Sequence, residues 1–151
     1  MPTTTPTALD YVGCLAGNLR AATRAVTRVY DDALRPHGLR LTQVAVLSTL
    51  RATGPVGVTE LAAAVGTERS AVARELRPLA ADGLVTVAAD ADDGRVRRVK
   101  LTPRGADRLD AAAPAWHRAQ DSMRVLLGVA EVEALVRAAS AVVDALSRDD
   151  A

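Results

Sequence analysis

The stretch that decides the fold covers residues 56–105 and reads VGVTELAAAVGTERSAVARELRPLAADGLVTVAADADDGRVRRVKLTPRG. It begins with an apolar-periodic segment, turns at Gly66, and continues in a second helical segment that Gly83 ends. Two runs with alternating apolar residues follow at 84–88 and 96–101, and the loop between them reads DADDGR. This order predicts a helix-turn-helix followed by a β-hairpin with a basic tip.

The basic side chains of this stretch lie on the second helix, in the hairpin and just after it: Arg69, Arg74, Arg77, Arg95, Arg97, Arg98, Lys100 and Arg104. Residues 69–104 hold these eight basic side chains and five acidic ones, whereas the whole chain has a net charge of +1. The rest of the chain is therefore net negative. A helix of this kind fits the major groove, where each base pair shows a distinct donor and acceptor pattern. The stretch predicts a DNA-binding protein whose hairpin tip reaches the adjacent backbone or minor groove.

Amphipathic helices are predicted on both sides of this unit. Apolar residues at three-to-four spacing indicate one helix over about 9–35, a second that Gly128 ends, and a last one from about Glu131. These flanks hold more apolar surface than a small winged domain covers by itself, so we expect a two-fold dimer. The prediction is one mainly α domain over 1–151 with a small β-hairpin wing. Its winged helix-turn-helix covers 36–105, and its dimerisation helices cover 8–35 and 103–148.

Three residues make sharper local predictions. Thr42 is expected to be the N-cap of the helix that follows the 9–35 helix along the chain, because threonine is a favoured N-cap residue. Thr102 and Pro103 are expected to start the helix after the hairpin, with Thr102 as its cap and Pro103 as its first helical residue. Pro78 lies inside the arginine-bearing helix, where a proline removes one backbone hydrogen bond. We expect either a kink there or a base-reading part confined to the first two turns.

Composition and missing motifs exclude several classes of protein. The single cysteine, Cys14, excludes an intramolecular disulfide framework and cysteine-rich metal sites. No apolar run approaches the ~20 residues of a membrane helix, and the N-terminus lacks the order of a signal peptide. We expect a cytoplasmic protein with no membrane partner. The chain has no HExxH, G-x-S-x-G or Walker motif and only two histidines, so we expect no enzyme, no metal and no cofactor.

Two segments resemble the MarR family, the multiple-antibiotic-resistance regulators: GVTELAAAVGTERSAVARELRPLAADGLV over 57–85 and DADDGRVRRVKLTPRG over 90–105. The wing pattern of that family is roughly D-P-x-D-x-R-x, a few residues, then L-T-x-x-G. The matching residues are Asp90, Asp93, Arg95, Leu101, Thr102 and Gly105, while Ala91 stands where the family has proline. The order of helices outside the wing is also similar, so the resemblance covers nearly the whole chain.

The resemblance implies a homodimer that binds a pseudo-palindromic operator as a ligand-responsive transcriptional regulator, usually a repressor. It also implies that Arg95 enters the minor groove while Asp93 orients its guanidinium, a role that suits arginine in a narrow groove. Arg74 is predicted to read bases, and Thr59, Ser70 and Arg97 to contact phosphates. The full set of predicted DNA contacts is Thr59, Arg69, Ser70, Ala73, Arg74, Arg77, Asp93, Arg95 and Arg97. Ala73 stands where the family often has threonine, and we assign Glu75 no function beyond pairing with a neighbouring basic group.

In the family, a cleft between the dimerisation and DNA-binding parts holds small phenolic or aromatic-acid effectors. Arg20, Tyr30, Trp116 and His117 are the residues of this chain that we predict to line it, although core packing is slightly preferred for Trp116. Two alternatives stay open. One is a thiol-based redox regulator using Cys14, whose other interpretation is a small apolar side chain on the first helix. The other is a winged helix used only for protein–protein contact.

Overall fold

A computed structural model describes residues 12–147, which form six helices, a 3-10 turn and three strands. In chain order these are α1 (Leu15–Leu34), the 3-10 turn (Arg35–His37), α2 (Leu41–Thr53), β1 (Val56–Gly57), α3 (Val58–Val65), α4 (Arg69–Ala81), β2 (Val85–Ala89), β3 (Arg97–Leu101), α5 (Pro103–Leu127) and α6 (Val129–Ser147). The prediction of a mainly α fold with a small antiparallel wing is confirmed. Residues 8–11 and 148, at the ends of the predicted dimerisation helices, lie outside the described residues.

The wing is a three-stranded antiparallel sheet with the strand order β1-β3-β2. Val85 pairs with Leu101 at one end of the hairpin and Ala89 with Arg97 at the other. Both predicted strands are present, shifted by one residue at their starts. The third strand, β1, pairs Val56 with Val99 and was not predicted, because two residues are too short to show a period.

The core lies where α2, α3 and α4 meet the sheet and the start of α5. The most deeply buried large side chains come from the end of α1, from α2, α3 and α4, and from the sheet with the residue before it: Leu34, Val46, Leu47, Leu50, Leu61, Val72, Leu79, Leu84, Val85 and Val99. Leu109 and Ala112 extend the core along α5. On α2 the apolar residues Val46, Leu47 and Leu50 are buried, and this packing fixes the helix-turn-helix to the wing.

The α4 helix ends as predicted, and Pro78 does not break it. The helix continues past Pro78 to Ala81, and the carbonyl of Pro78 accepts the N–H of Asp82 at 2.9 Å. Gly83 then takes a left-handed conformation with φ 71°, which allows the N–H of Leu84 to bond back to the Leu79 carbonyl at 2.9 Å. The helix therefore runs through Pro78 in one piece from Arg69 to Ala81.

Helix α2 begins at Leu41 as predicted, but the predicted N-cap residue was wrong. Arg40 occupies the N-cap position and Thr42 lies inside the first turn. The carboxylate of Asp31 on α1 accepts the N–H of Leu41 at 2.7 Å, and the Gln43 side chain accepts the N–H of Arg40 at 3.1 Å. A cap supplied from another helix leaves no local pattern at the helix start, which explains the error.

The first helix begins later than predicted, at Leu15. Cys14 precedes it with an extended backbone, φ −68° and ψ 120°, so it is not on the helix. The side-chain amide of Asn18 donates to the carbonyls of Val12 and Cys14 at 2.8 and 2.9 Å. These bonds hold the segment before the helix in a turn. At the other end of the chain, α6 begins at Val129, two residues before the predicted start.

The start of α5 is locked against the end of α4. Thr102 caps the helix as predicted, with its Oγ1 accepting the N–H of Gly105 at 3.0 Å and donating to the Gly83 carbonyl at 2.7 Å. A Cβ on Gly105 would lie 2.1 Å from the Leu84 carbonyl oxygen and 2.7 Å from Leu101 Cδ1. Only glycine permits this approach, so Gly105 sets how closely α5 packs on the wing.

The helices that flank the winged unit keep much of their apolar surface uncovered. None of the residues of α6 is buried, and Val125, at the end of α5, is 85% exposed. Other large apolar residues, with exposures of 47–71%, occur on three helices: Leu15, Leu126, Leu127, Val129, Leu135, Val136, Val143 and Leu146. Across residues 12–147, no helix combines the length and the hydropathy needed to cross a membrane.

Candidate nucleic-acid interface

One face of α4 is packed into the core and the opposite face is open. Val72, Leu76 and Leu79 are buried, as expected for positions three to four residues apart on one side of a helix. The five predicted contacts on this helix are all exposed: Arg69, Ser70, Ala73, Arg74 and Arg77. The helix therefore presents its polar residues outward from a rigid base.

The wing and the two helices of the helix-turn-helix form a groove of about 340 Å³. Its lining includes four of the predicted contacts, which come from three different elements: Thr59, Arg69, Arg95 and Arg97. Glu60 also lines it, but its carboxylate accepts the N–H of Gly57 at 3.0 Å and so caps α3. The groove brings three guanidinium groups to one place, which is the arrangement that a phosphate backbone requires.

The tip of the wing is shaped by two aspartates. Asp90 Oδ1 accepts the N–H groups of Asp92 and Asp93 at 2.8 and 3.1 Å. Asp93 Oδ1 accepts the backbone N–H of Arg95 at 3.0 Å. Asp93 thus positions Arg95 through its backbone, as an Asx turn does, rather than through the guanidinium as the resemblance implied.

The arginines of this surface are free to bind a partner. Within residues 12–147, no hydrogen bond or ion pair engages the guanidinium groups of Arg69, Arg74, Arg77, Arg95 or Arg97. By contrast, guanidinium groups elsewhere are held by carboxylates or carbonyls, as at Arg35, Arg40, Arg51, Arg98, Arg108, Arg124 and Arg137. Arg20, Arg24, Arg28, Arg104 and Arg118 are also unpaired, so the distinction is not absolute. Three members of the first group, Arg69, Arg95 and Arg97, line the groove between the wing and the helix-turn-helix, and the other two lie on the exposed face of α4.

A cavity of about 440 Å³ lies between the end of α1, α2 and α5. Its lining is almost wholly apolar: Leu34, Leu41, Val44, Ala45, Leu109, Ala112, Ala113 and Trp116, with Ser48 and Arg51 as the polar members. Arg51 also donates to Asp110 Oδ1 and to the Ala106 carbonyl, each at 2.7 Å. The volume is in the range of small-molecule sites, and one cation at an apolar cavity suits an organic anion.

Of the four predicted effector residues, only Trp116 lines this cavity. Tyr30 is buried beside Trp116, with ring centroids 6.2 Å apart, and its hydroxyl donates to Gln120 Oε1. Burial raises the pKa of Tyr30, with a smaller opposing effect from Arg124, so the phenol stays neutral. His117 is exposed and its Nδ1 pairs with the Ala113 carbonyl at 2.8 Å, while Arg20 is exposed on α1.

Sequence reasoning missed Ser48 and Arg51 as cavity residues. A signal for them was present, because Val44, Ser48 and Arg51 share one side of α2 at spacings of four and three. Cys14, the candidate redox residue, is partly exposed before α1 and is unpaired as a thiol. Tyr11, a polar residue three positions before Cys14, lies outside the described residues.

Comparisons with known proteins agree with this geometry. Residues 39–96 match the model of the MarR family. The transcriptional regulator MosR of M. tuberculosis is 30% identical with a TM-score of 0.75, over 89% of this chain and 98% of that one. A MosR structure in complex with DNA is 35% identical with a TM-score of 0.69, over 85% and 97%. B. bronchiseptica BpsR, whose DNA binding is regulated by 6-hydroxynicotinic acid, shares the fold at 23% identity and a TM-score of 0.79, over 91% and 99%. No curated protein sequence matches the chain.

Proposed function

The chain belongs to the MarR family of DNA-binding transcriptional regulators, which are not enzymes, and from that premise we propose that it is a homodimeric repressor. In this proposal the dimer binds a pseudo-palindromic operator and a small aromatic or phenolic effector releases it. The observation that carries the DNA-binding part is the groove that Arg69, Arg95 and Arg97 line together between the wing and the helix-turn-helix, with no hydrogen bond or ion pair to their guanidinium groups within residues 12–147.

Each DNA contact in this proposal has a distinct role. Arg74 reads a base from the exposed face of α4, since a bidentate arginine–guanine contact is worth ~1–3 kcal/mol of discrimination. Arg95 enters the minor groove from the wing tip. Arg97 and Thr59 lie in the groove between wing and helices and contact phosphate, as Ser70 does from α4. Arg69, Ala73, Arg77 and Asp93 complete the surface.

The dimer is proposed from the uncovered apolar faces of α1, α5 and α6. We assign residues 36–105 to DNA binding and residues 8–35 and 103–148 to dimerisation. A second copy related by a two-fold axis covers these apolar faces on the first copy, and the first copy covers the same faces on the second. It also supplies a second recognition helix, which must stand about one helical turn of DNA away, ~34–36 Å.

The effector site in this proposal is the cavity between α1, α2 and α5. Its walls belong both to the helices assigned to dimerisation and to α2, which is part of the DNA-binding unit. An effector that prefers one arrangement of these walls changes the spacing of the recognition helices and so weakens operator binding. Arg51 and Ser48 provide the cation and the hydroxyl for an acid group, and Trp116 provides a face for its ring.

The test of DNA binding is a fluorescence-anisotropy titration against the DNA upstream of this gene and against a scrambled duplex, over a series of salt concentrations. The upstream DNA is expected to bind more tightly, with log K falling by about 0.9 per phosphate contact as log salt rises. Arg95→Ala is expected to remove most of this preference. Arg118→Ala, which removes an equal charge from an exposed position on α5, is the matched control and is expected to keep it. Binding without preference, unchanged by Arg95→Ala, would contradict the proposal.

A further inference from the structure

The only acidic residue of α4 is Glu75, and it lies one position after the predicted base-reading Arg74. A carboxylate on a DNA-facing helix repels phosphates, so its presence there calls for a physical reason. Glu75 does not lie on the open face of α4 with the arginines, because only 20% of its side chain is exposed. It lies at the border between the buried stripe of α4 and the open face.

The carboxylate of Glu75 is held by Arg40 at the start of α2. Arg40 Nη2 lies 3.1 Å from Glu75 Oε2 and 3.4 Å from Glu75 Oε1. The pair joins residues 35 positions apart in sequence. Glu75 and Arg74 are also among the residues that line a groove of about 370 Å³ between α2 and α4. The ion pair therefore spans a place where the two helices are not in full apolar contact.

The anchor on the α2 side is rigid. The N–H of Arg40 bonds the side chain of Gln43, the one buried polar residue in the described part of the chain. The next N–H, of Leu41, bonds the carboxylate of Asp31 on α1. Two consecutive backbone groups are thus fixed, one by α2 itself and one by α1. Glu75 is tied through Arg40 to a point that is immobile relative to both helices.

We propose that Glu75, through its ion pair with Arg40, sets the rotation of α4 about its own axis and so positions Arg74 for base reading. This inference rests on the proposed DNA-binding function. Successive residues on a helix are separated by about 100° of rotation, so fixing the direction of Glu75 fixes that of Arg74. Stability is not the main role of the pair, because a partly exposed ion pair changes a folding equilibrium by no more than about fivefold.

Electrostatics and positioning predict different effects of the same substitution on sequence discrimination. If Glu75 acts only as a negative charge near phosphates, Glu75→Gln strengthens binding to every DNA sequence. If Glu75 positions Arg74, Glu75→Gln leaves binding to scrambled DNA equal or tighter but weakens discrimination for the operator. The quantity that separates the two roles is therefore the dissociation constant for scrambled DNA divided by that for the operator.

The experiment measures that ratio with a duplex that the wild-type protein selects from a random library, which serves as the operator, and with a scrambled version of the same duplex. Glu75→Gln and Arg40→Gln are each expected to lower the ratio by about fivefold per half-site. The double variant is expected to be no worse than either single variant, because both remove the same pair. Glu68→Gln is the matched control: it removes an equal charge from an exposed position at the start of the same helix, where its side chain caps nothing. It is expected to leave the ratio unchanged.

A second selection, made with the Glu75→Gln protein, gives a readout that a purely structural role would not move. Base preference is expected to blur at one position of each half-site, the same position that Arg74→Ala blurs. Unchanged preference in a folded Glu75→Gln protein would overturn the inference while leaving the proposed function intact. A wild-type protein that selects no sequence would overturn both. Additive losses in the double variant would show that Arg40 and Glu75 act separately, and would also overturn it.

Discussion

Asp90 and Arg98 form an ion pair at the loop end of the wing, with Arg98 Nε donating to Asp90 Oδ2. Arg98 Nη1 also donates to the Pro55 carbonyl at 3.2 Å, which ties β3 to the residue before β1. The other oxygen of Asp90 holds two backbone N–H groups at the tip. One carboxylate therefore links the sheet to the loop that presents Arg95.

The substitution Asp90→Asn tests whether this link serves DNA binding. An asparagine keeps an acceptor for the loop N–H groups but loses the charge that pairs with Arg98. We expect a moderate loss of operator affinity, smaller than that caused by Arg95→Ala, measured by anisotropy. Asp92→Asn changes the same charge in the same loop, and the carboxylate of Asp92 makes no hydrogen bond within residues 12–147, so it is the control. Equal effects of the two substitutions would mean that only the loop charge matters.

The same link predicts how the wing responds to acid. The hydrogen bond from Arg98, followed by those from the backbone N–H groups of Asp92 and Asp93, lowers the pKa of Asp90 from 3.8 to about 2. A group with a lowered pKa contributes stability above its unfolded value and loses it as pH falls through the folded value. Protection of the loop amides from hydrogen exchange, corrected for intrinsic rates, is therefore expected to decline between about pH 4 and pH 2. A wing that keeps full protection at pH 2 would contradict this assignment.

The close approach at Gly105 predicts a stability effect. In Gly105→Ala the new methyl group would meet the Leu84 carbonyl, which is backbone and cannot turn away. We expect a loss of ~1–3 kcal/mol in the free energy of unfolding, measured by urea titration. Gly94→Ala, where a Cβ would meet nothing within 4 Å, is expected to be nearly neutral. A stable Gly105→Ala protein would mean that α5 is able to shift on the wing at little cost.

Features that depend on nearby residues were predictable from the sequence. The bounds of α3, the end of α4 at Gly83 and the Thr102 cap of α5 all follow from turn chemistry and apolar spacing within one or two turns. The exposed face of α4 follows from the same periodicity. These are the elements that carry the helix-turn-helix and the wing, which is why the family resemblance was visible.

Features that depend on distant partners were not predictable. Asp31 caps α2 from another helix, and two-residue β1 exists only because β3 lies beside it. Arg51 looks like an ordinary surface arginine until α5 closes a cavity around it. The role of Asp93 depended on where its carboxylate points, which the spacing to Arg95 does not determine. Each of these required the packing of elements against one another.

The cavity predicts an effector response that depends on Arg51. Salicylate, benzoate and 6-hydroxynicotinate are suitable probes, because each joins an aromatic ring to a carboxylate. We expect at least one to release the wild-type protein from operator DNA, and Arg51→Met to need about tenfold more of it, since a charge-assisted hydrogen bond is lost. Asp110→Asn frees Arg51 from its partner and is expected to act in the opposite direction. Equal responses in all three proteins would place the effector elsewhere.

The exposed stripe on α6 predicts a dimer that one new charge disrupts. Leu135 and Val143 are 61% and 63% exposed in the single chain and share one side of the helix. In a two-fold interface a carboxylate at position 143 is buried twice, so Val143→Glu is expected to raise the dimer dissociation constant by about 100-fold or more. Sedimentation over a range of protein concentrations measures this constant.

The position of the charge decides what that result means. Ala141→Glu introduces the same carboxylate on roughly the opposite side of α6, at another exposed residue. If the apolar stripe is the interface, Ala141→Glu stays dimeric and keeps its operator affinity, while Val143→Glu loses both together, because a monomer reaches only one half-site. A Val143→Glu protein that remains a dimer and binds the operator would mean that the stripe is covered by something other than the second copy.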